Sequence, residues 1–129
     1  MTSTVDLHLH SNKSDGVLSP REVVALCRRQ GVRLLSLTDH DTFAGVEEAM
    51  EAGRDFGCEV LPGIEISAET PETQNTHILA YYSPDVFRSC PWLLTRLAAT
   101  LEELRVSRES RAKGMVALLE ERGIRVDYQ

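Results

Sequence analysis

Short apolar runs with the strand pattern alternate with helical segments along the first two thirds of the chain. Strands are predicted at residues 5–10, 32–38, 58–66 and 77–82. Helices are predicted from the start signal Ser19-Pro20 to the stop at Gly31, and over residues 43–56. Strands that alternate with helices predict βαβ units and a largely parallel sheet, which is an α/β fold. In such sheets the binding site forms where the strands end.

The chain changes character after residue 87. Residues 1–87 carry 14 acidic and six basic side chains, whereas residues 88–129 carry six acidic and eight basic ones. Leucines in the second segment recur at the spacing of one helix face, and Arg105, Arg108 and Arg111 recur every third residue. We therefore expect an α/β segment at residues 1–87. We expect a helical, Arg-rich segment at residues 88–129, either a cap over a site or an oligomer surface.

Composition narrows the class of protein. The chain has 129 residues, enough for one domain, and a net charge of −6, which argues against binding nucleic acid by bulk charge. Its N-terminus lacks the basic and apolar regions of a secretory leader, and no apolar run reaches the roughly 18 residues of a membrane span. We therefore expect a cytoplasmic protein with no membrane association and with reduced cysteines.

Imidazoles and carboxylates cluster at the predicted strand ends. His8 and His10 share one strand face about 7 Å apart, but this pair alone also fits a half-exposed strand face. Glu65 stands in an apolar strand, where a carboxylate is costly to bury unless it is paired or metal-bound. His40 and His77 lie beside other predicted strands. Mixed imidazole and carboxylate ligands at one edge of a sheet favour a site for several ions of Mn, Fe or Zn.

Four segments of the sequence resemble successive motifs of the PHP (polymerase and histidinol phosphatase) domain family. They read D-L-H-L-H-S-N-K-S-D-G at residues 6–16, L-T-D-H-D-T at 37–42, P-G-I-E-I-S at 62–67 and T-H-I-L-A-Y at 76–81. The resemblance implies a distorted (β/α)7 barrel with a metal cluster. It is strongest to the bacterial branch that acts on nucleoside 3′,5′-bisphosphates and trims short RNA from the 5′ end. In that branch a helical insertion follows the fourth strand.

The resemblance also implies a role for each motif residue. His8 and His10 would hold one ion, Glu65 would bridge it to a second ion, and His77 would bind that second ion. Asp15 and His40 would bind a third, giving two or three divalent ions of Mn, Fe or Zn in all. Asp39 and Asp41 are expected to orient His40 or to cap the next helix. Arg105, Arg108 and Arg111 are candidates for phosphate binding, although a solvated helix face explains them equally well.

The chain contains only the first half of the motif pattern of the family. The family completes its cluster with a later His and an Asp-x-His, whereas no His follows His77 here and Asp127 has no such partner. A half barrel has an open sheet edge, which we expect the C-terminal helix, a homo-oligomer partner or a missing C-terminal half to cover.

These inferences predict a phosphoesterase that hydrolyses phosphate esters of nucleotides or short oligonucleotides through a metal-bridging hydroxide. Two alternatives stay open. The chain could be an accessory module that binds metal without catalysis, or a barrel hydrolase that acts on a substrate without phosphate.

Overall fold

The computed structural model describes residues 4–68 and 76–127, apart from the side chains of residues 93 and 94. The strands are β1 (Thr4–Leu9), β2 (Val32–Leu37), β3 (Glu59–Val60), β4 (Gly63–Ala68) and β5 (Thr76–Tyr81). The helices are α1 (Pro20–Arg29), α2 (Val46–Phe56), α3 (Pro84–Ser89) and α4 (Pro91–Glu121). The α/β prediction is confirmed, since helices follow β1 and β2 and a helical segment follows β5.

Helices α1 and α2 cover one face of the sheet. Ser19 caps α1 and forms a capping box with Glu22, as the start signal predicts. Helix α2 begins at Val46, three residues later than predicted, because the Thr42 hydroxyl accepts the Ala44 N–H and keeps that turn out of the helix. The core between helices and sheet includes buried side chains from both layers: Val23, Val24, Cys27, Leu35, Leu37, Ala49, Met50 and Val60.

Strands β1, β2 and β3 form a parallel sheet in that order. The predicted third strand divides into β3 and β4 around Pro62, which has no N–H to donate to a neighbouring strand. Beyond this break, β4 continues alongside the chain that leaves β2, since Glu65 pairs with His40 in a parallel bridge. The predicted interruption of this strand is therefore confirmed.

Strand β5 departs from the parallel expectation. It pairs antiparallel with β4, so that Ser67 lies opposite His77 and Glu65 lies opposite Leu79. Only residues 69–75 connect the two strands, whereas a parallel crossover needs about a dozen residues or more. The short connection therefore forces β5 to reverse direction, and this brings the start of β5 to the edge where the parallel strands end.

The helical segment begins earlier than expected. Helix α3 crosses the proposed boundary at residue 87 and places Phe87 in the core against Phe43. The division into residues 1–87 and 88–129 therefore stays a prediction. Helix α4 runs to Glu121 and is followed by Gly123, which has a positive φ of 79° and allows Ile124 N–H to reach the Leu119 carbonyl. No helix in the described part of the chain is long and apolar enough to cross a bilayer.

Two strands mark the borders of the sheet system. Among the described strands, β1 pairs with β2 alone and β5 pairs with β4 alone, while the side-chain hydroxyl of Tyr81 on β5 donates to the Leu7 carbonyl of β1. Val5 on β1 and Ile78 on β5 each expose about half of their surface, at 52%. Coverage of such an edge by a partner subunit or by further chain stays a prediction.

Candidate metal centre

The Glu65 carboxylate lies at the centre of the four histidines of the chain. Its side chain is 4% exposed. Oε2 lies 2.9 Å from His8 Nε2, 3.0 Å from His10 Nε2 and 3.6 Å from His40 Nδ1. Oε1 lies 2.8 Å from His77 Nδ1. Four ring nitrogens from three separate chain segments therefore converge on one buried carboxylate.

An irregularity in β1 shapes the first pair of histidines. Asp6 pairs with Leu35 and Leu9 pairs with Leu37, so β1 holds one residue more than β2 over this stretch. Such a bulge bends a strand and redirects its side chains. The ring centroids of His8 and His10 lie 5.1 Å apart, closer than the roughly 7 Å of a regular strand. Both rings consequently reach the same oxygen of Glu65.

The other two histidines arrive by different routes. His40 follows β2 and pairs in the parallel bridge with Glu65. His77 is the second residue of β5, and the antiparallel register sets it diagonal to Glu65 on the same face of the strand pair. His77 therefore belongs to this edge because β5 is reversed, and a parallel strand would have carried it to the opposite edge.

Asp15 extends the cluster on the side away from β5. Its Oδ1 lies 3.3 Å from His10 Nδ1, and its Oδ2 lies 3.6 Å from His40 Nε2. Three overlapping groups of ligand atoms result, each within 4.8 Å of one another: His8, His10 and Glu65; His10, Asp15 and His40; His40, Glu65 and His77. The structure thus brings together all six residues that the family resemblance implied as ligands, and their metal binding stays a prediction.

The donor set fits a divalent metal ion. Bonds of about 2.0–2.2 Å to nitrogen and oxygen at tetrahedral angles place ligand atoms about 3.3–3.6 Å apart. The separations between Glu65 and the four histidines span 2.8 to 3.6 Å. Imidazole nitrogen and carboxylate oxygen are donors that suit Mn, Fe and Zn. The residues present could therefore hold a divalent ion with small adjustments of the side chains.

The electrostatics of Glu65 favour its charged form. Burial by itself would raise the pKa of this carboxyl. The hydrogen bond from His8 and the electrostatic influence of His40, His8 and His10 outweigh burial, and the pKa of Glu65 lies below its ordinary value. Glu65 is therefore an anion at neutral pH, as metal ligation requires.

Asp39 accepts hydrogen bonds from the loop that follows β1. Its Oδ1 accepts hydrogen bonds from the Ser11 N–H and the Ser14 hydroxyl, and its Oδ2 accepts one from the Ser11 hydroxyl, all at 2.7 Å. Asp39 therefore anchors the loop that carries Asp15. Helix α2 has Gly45 at its N-cap and no side-chain cap, so neither Asp39 nor Asp41 caps it. The sequence did not predict a role for Ser11 or Ser14. Both lie far from Asp39 in the sequence, so no local pattern indicates these hydrogen bonds.

The loop after β1 depends on Gly16. A Cβ at this position would lie 2.7 Å from the His10 carbonyl oxygen and 2.8 Å from the Ser11 carbonyl carbon. We expect Gly16→Ala to shift the neighbouring Asp15 and to weaken metal binding at least tenfold, measured by calorimetric titration. Gly114→Ala is the matched control, because nothing lies within 4 Å of its added methyl group. Unchanged metal affinity in Gly16→Ala would show that Asp15 is not held by this loop geometry.

The three candidate arginines separate in space. Arg108 and Arg111 line a cleft between α4 and the cluster, together with Ser14, Ser67 and His77. Nη1 of Arg108 lies 2.6 Å from Oδ2 of Asp41. Arg105 instead pairs with Glu102 and Glu109 along the exposed surface of α4. Arg108 and Arg111 therefore remain candidates for phosphate binding, whereas Arg105 already forms ion pairs with two glutamates of its own helix.

Relatives of known name match this chain over nearly its whole length. A 5′-3′ exoribonuclease from Haemophilus influenzae is 40% identical over 124 residues, which are 96% of this chain and 42% of the relative. A 3′,5′-nucleoside bisphosphate phosphatase from Chromobacterium violaceum is 36% identical over 122 residues, 95% of this chain and 40% of the relative. The chain therefore spans about two fifths of the length of these relatives.

Solved structures agree with the sequence relatives. An amidohydrolase from Chromobacterium violaceum, with bound sulfate and no metal, matches with a TM-score of 0.77 at 35% identity, over 95% of this chain and 40% of that one. A Bifidobacterium adolescentis protein named as a metal-dependent phosphoesterase matches with a TM-score of 0.76 at 33% identity, over 94% and 40% of the two chains. The profile of the PHP domain matches residues 6–119. With these matches, the motifs and the fold establish that the chain belongs to the PHP domain family.

Proposed function

We propose that this chain carries the metal-binding part of a divalent-metal-dependent phosphoesterase that hydrolyses phosphate esters of nucleotides or short oligonucleotides. The observation that carries the proposal is the convergence of four histidines on the buried carboxylate of Glu65, beside a cleft lined by Arg108 and Arg111. The ligands supply a cation site and the arginines supply charge for an anionic substrate. A phosphate ester at this position would meet both.

Each group of side chains would have its own role in the reaction. Glu65 and the imidazoles would hold two or three ions of Mn, Fe or Zn, which when bound polarise the phosphoryl group and lower the pKa of water. Asp39 would keep the loop of Asp15 in place through Ser11 and Ser14. Guanidinium groups on α4 would bind phosphoryl oxygens, for which their planar array of donors is suited. Water would form the new P–O bond as the bond from phosphorus to the ester oxygen breaks, and the proton that water loses would end on the departing oxygen.

The names of the relatives support the proposed substrate class. Those named above are a 5′-3′ exoribonuclease and a 3′,5′-nucleoside bisphosphate phosphatase, and the Chromobacterium structure holds sulfate, a tetrahedral anion like phosphate. We assign this chain the same chemistry: phosphorylated nucleosides or short RNA. We retain the cytoplasm as its compartment, where such substrates are abundant.

The test is hydrolysis measured together with metal content. The purified chain is loaded with Mn, Fe or Zn and assayed with p-nitrophenyl phosphate, a nucleoside 3′,5′-bisphosphate, a short 5′-phosphorylated RNA, and a panel of carboxylic esters and amides. We expect release of phosphate or nucleotide only in loaded protein, and none in a His10→Ala, His40→Ala double variant. Elemental analysis of the same samples gives the number of ions per chain.

Three outcomes would contradict the proposal. Hydrolysis of the ester or amide panel without hydrolysis of phosphate esters would identify a different class of barrel hydrolase. Stoichiometric metal without any turnover would favour the accessory module that binds metal without catalysis. Absence of metal binding would contradict both of these readings and the phosphoesterase proposal alike.

A further inference from the structure

The turn that follows β2 pairs with β4 around His40. The Glu65 N–H donates to the Asp39 carbonyl at 3.2 Å, and the Glu65 carbonyl accepts the Asp41 N–H at 2.9 Å. In a regular parallel ladder, the next hydrogen bond would run from the Ser67 N–H to the Asp41 carbonyl. Asp41 instead has a positive φ of 53°, so the chain leaves the strand direction at this residue.

The side chain of Asp41 supplies an acceptor where a regular ladder would use a carbonyl. Its Oδ1 accepts the Ser67 N–H at 2.8 Å, and the side chain is only 6% exposed. Its Oδ2 lies 2.6 Å from Nη1 of Arg108 and takes no part in the hydrogen bond to Ser67. Asp41 therefore holds β4 for two residues beyond Glu65, where the chain has already turned towards α2.

Ser67 connects this hydrogen bond to His77. The two residues lie opposite each other in the antiparallel register of β4 and β5. Glu65 directs its N–H and its carbonyl away from β5, towards residues 39 and 41, and residues two apart in a strand direct these groups to the same edge. Ser67 and His77 therefore form a non-hydrogen-bonded pair, in which opposite Cα atoms are only about 4.5 Å apart. A shift of Ser67 would consequently move His77.

The two contacts of Asp41 affect different ligands. The bond from the Asp41 N–H to the Glu65 carbonyl belongs to the main chain and can persist when the side chain is replaced. The hydrogen bond at Oδ1 depends on the side chain, and it acts on the part of β4 that lies opposite His77. The spacing that responds to the Asp41 side chain is therefore the 2.8 Å between His77 Nδ1 and Glu65 Oε1.

We propose that Asp41 is a positioning residue that sets His77 against Glu65 through its hydrogen bond to Ser67, and that it acts as a hydrogen-bond acceptor rather than as a charge. The inference rests on the metal binding in the proposed function and does not depend on the substrate. Asparagine keeps an acceptor oxygen and is also enriched at positive φ, whereas glycine allows this φ without any acceptor. These two substitutions separate the acceptor from the charge and from the backbone conformation.

The first experiment measures the hydrogen bond without metal. Amide hydrogen exchange of Ser67 is followed by NMR in the presence of EDTA for the wild type, Asp41→Gly and the matched control Asp41→Asn. We expect exchange to be about tenfold faster in Asp41→Gly, because the amide loses its acceptor and opens to water more easily. It should stay within about twofold of the wild type in Asp41→Asn. The Ser11 amide, which donates to Asp39, is the internal reference and should not change.

The second experiment measures zinc affinity by calorimetric titration at equal folded fraction. We expect Asp41→Gly to weaken one binding step at least tenfold, as is usual when a residue that supports a metal ligand is lost, and Asp41→Asn to leave it unchanged. In a His77→Ala background, Asp41→Gly should cause no further loss, because its effect passes through His77. A residue that contributed only to stability would weaken zinc binding equally in both backgrounds.

Three results would overturn the inference. The first is an Asp41→Asn protein that binds zinc as weakly as Asp41→Gly, since the charge beside Arg108 would then be the property that matters. The second is a tenfold loss on Asp41→Gly in the His77→Ala background. The third is zinc binding in the wild type that Asp41→Gly leaves unchanged. A wild type that binds no zinc would instead contradict the proposed function itself.

Discussion

Replacing Glu65 with glutamine is expected to reduce the metal content of the protein by at least one ion per chain. Glu65 belongs to two of the three groups of candidate ligands, and both of its oxygens face imidazole nitrogens. Glutamine fills nearly the same volume but removes the anion. Loss of a residue that only supports a ligand weakens metal binding about 10–100-fold, so loss of this ligand should cost more than 100-fold. Calorimetric titration and elemental analysis after desalting would measure the change.

Glu59→Gln is the matched control for this substitution. Glu59 lies on the neighbouring strand β3 and has an exposed side chain. Its substitution by glutamine removes the same negative charge at a position outside the cluster. We expect it to retain the metal content and affinity of the wild type. Equal metal content in the two variants would contradict the central position that we give to Glu65.

Local signals in the sequence were sufficient for the first helix and for the ligand types. The capping box at Ser19 and Glu22 depends on residues three apart, so α1 is predicted at its observed start. Glu65 between two isoleucines gave a physical reason to expect pairing or metal ligation before any contact was known. In these cases the determining interactions are short-range or follow from the residue type alone.

The position of His77 was predicted from the motif and not from physical reasoning on the fold. A parallel strand would have placed this histidine at the wrong edge, and only the reversal of β5 brings it to Glu65. The seven-residue connection at 69–75 carried the relevant signal, because it is too short for a parallel crossover. The length of this connection predicts an antiparallel β5, if it is considered before a direction is assigned to the strand.

The different environments of the three arginines can be predicted in part from helical geometry. Residues three apart on a helix turn by about 60° in the same sense, so Arg105 and Arg111 differ by about 120° and do not share one face. The partner of Arg108 could not be read in this way. Asp41 lies far away in the sequence, and its contact with α4 depends on how the helix packs over the turn of His40.

The substitution Asp39→Asn is expected to lower the free energy of unfolding by about 2–4 kcal/mol. Asp39 is almost fully buried and accepts three hydrogen bonds from Ser11 and Ser14. Hydrogen bonds to a charged acceptor contribute about 1.5–3 kcal/mol each. The amide keeps the shape but has one accepting oxygen, so its NH2 group faces at least one donor that is then left without a partner. Urea denaturation in the presence of EDTA measures the loss without any contribution from bound metal.

Asp55→Asn is the control, because its ion pair with Arg21 is exposed and such pairs contribute at most about 1 kcal/mol. The effect at position 39 should also reach the metal centre, since the loop that Asp39 holds carries Asp15. Metal content at equal folded fraction should therefore fall in Asp39→Asn and stay unchanged in Asp55→Asn. An Asp39→Asn protein as stable as the Asp55→Asn protein would mean that Ser11 and Ser14 find other acceptors. The loop of Asp15 would then be held by the backbone bonds of Ser14 and Gly16 to the Ser11 carbonyl.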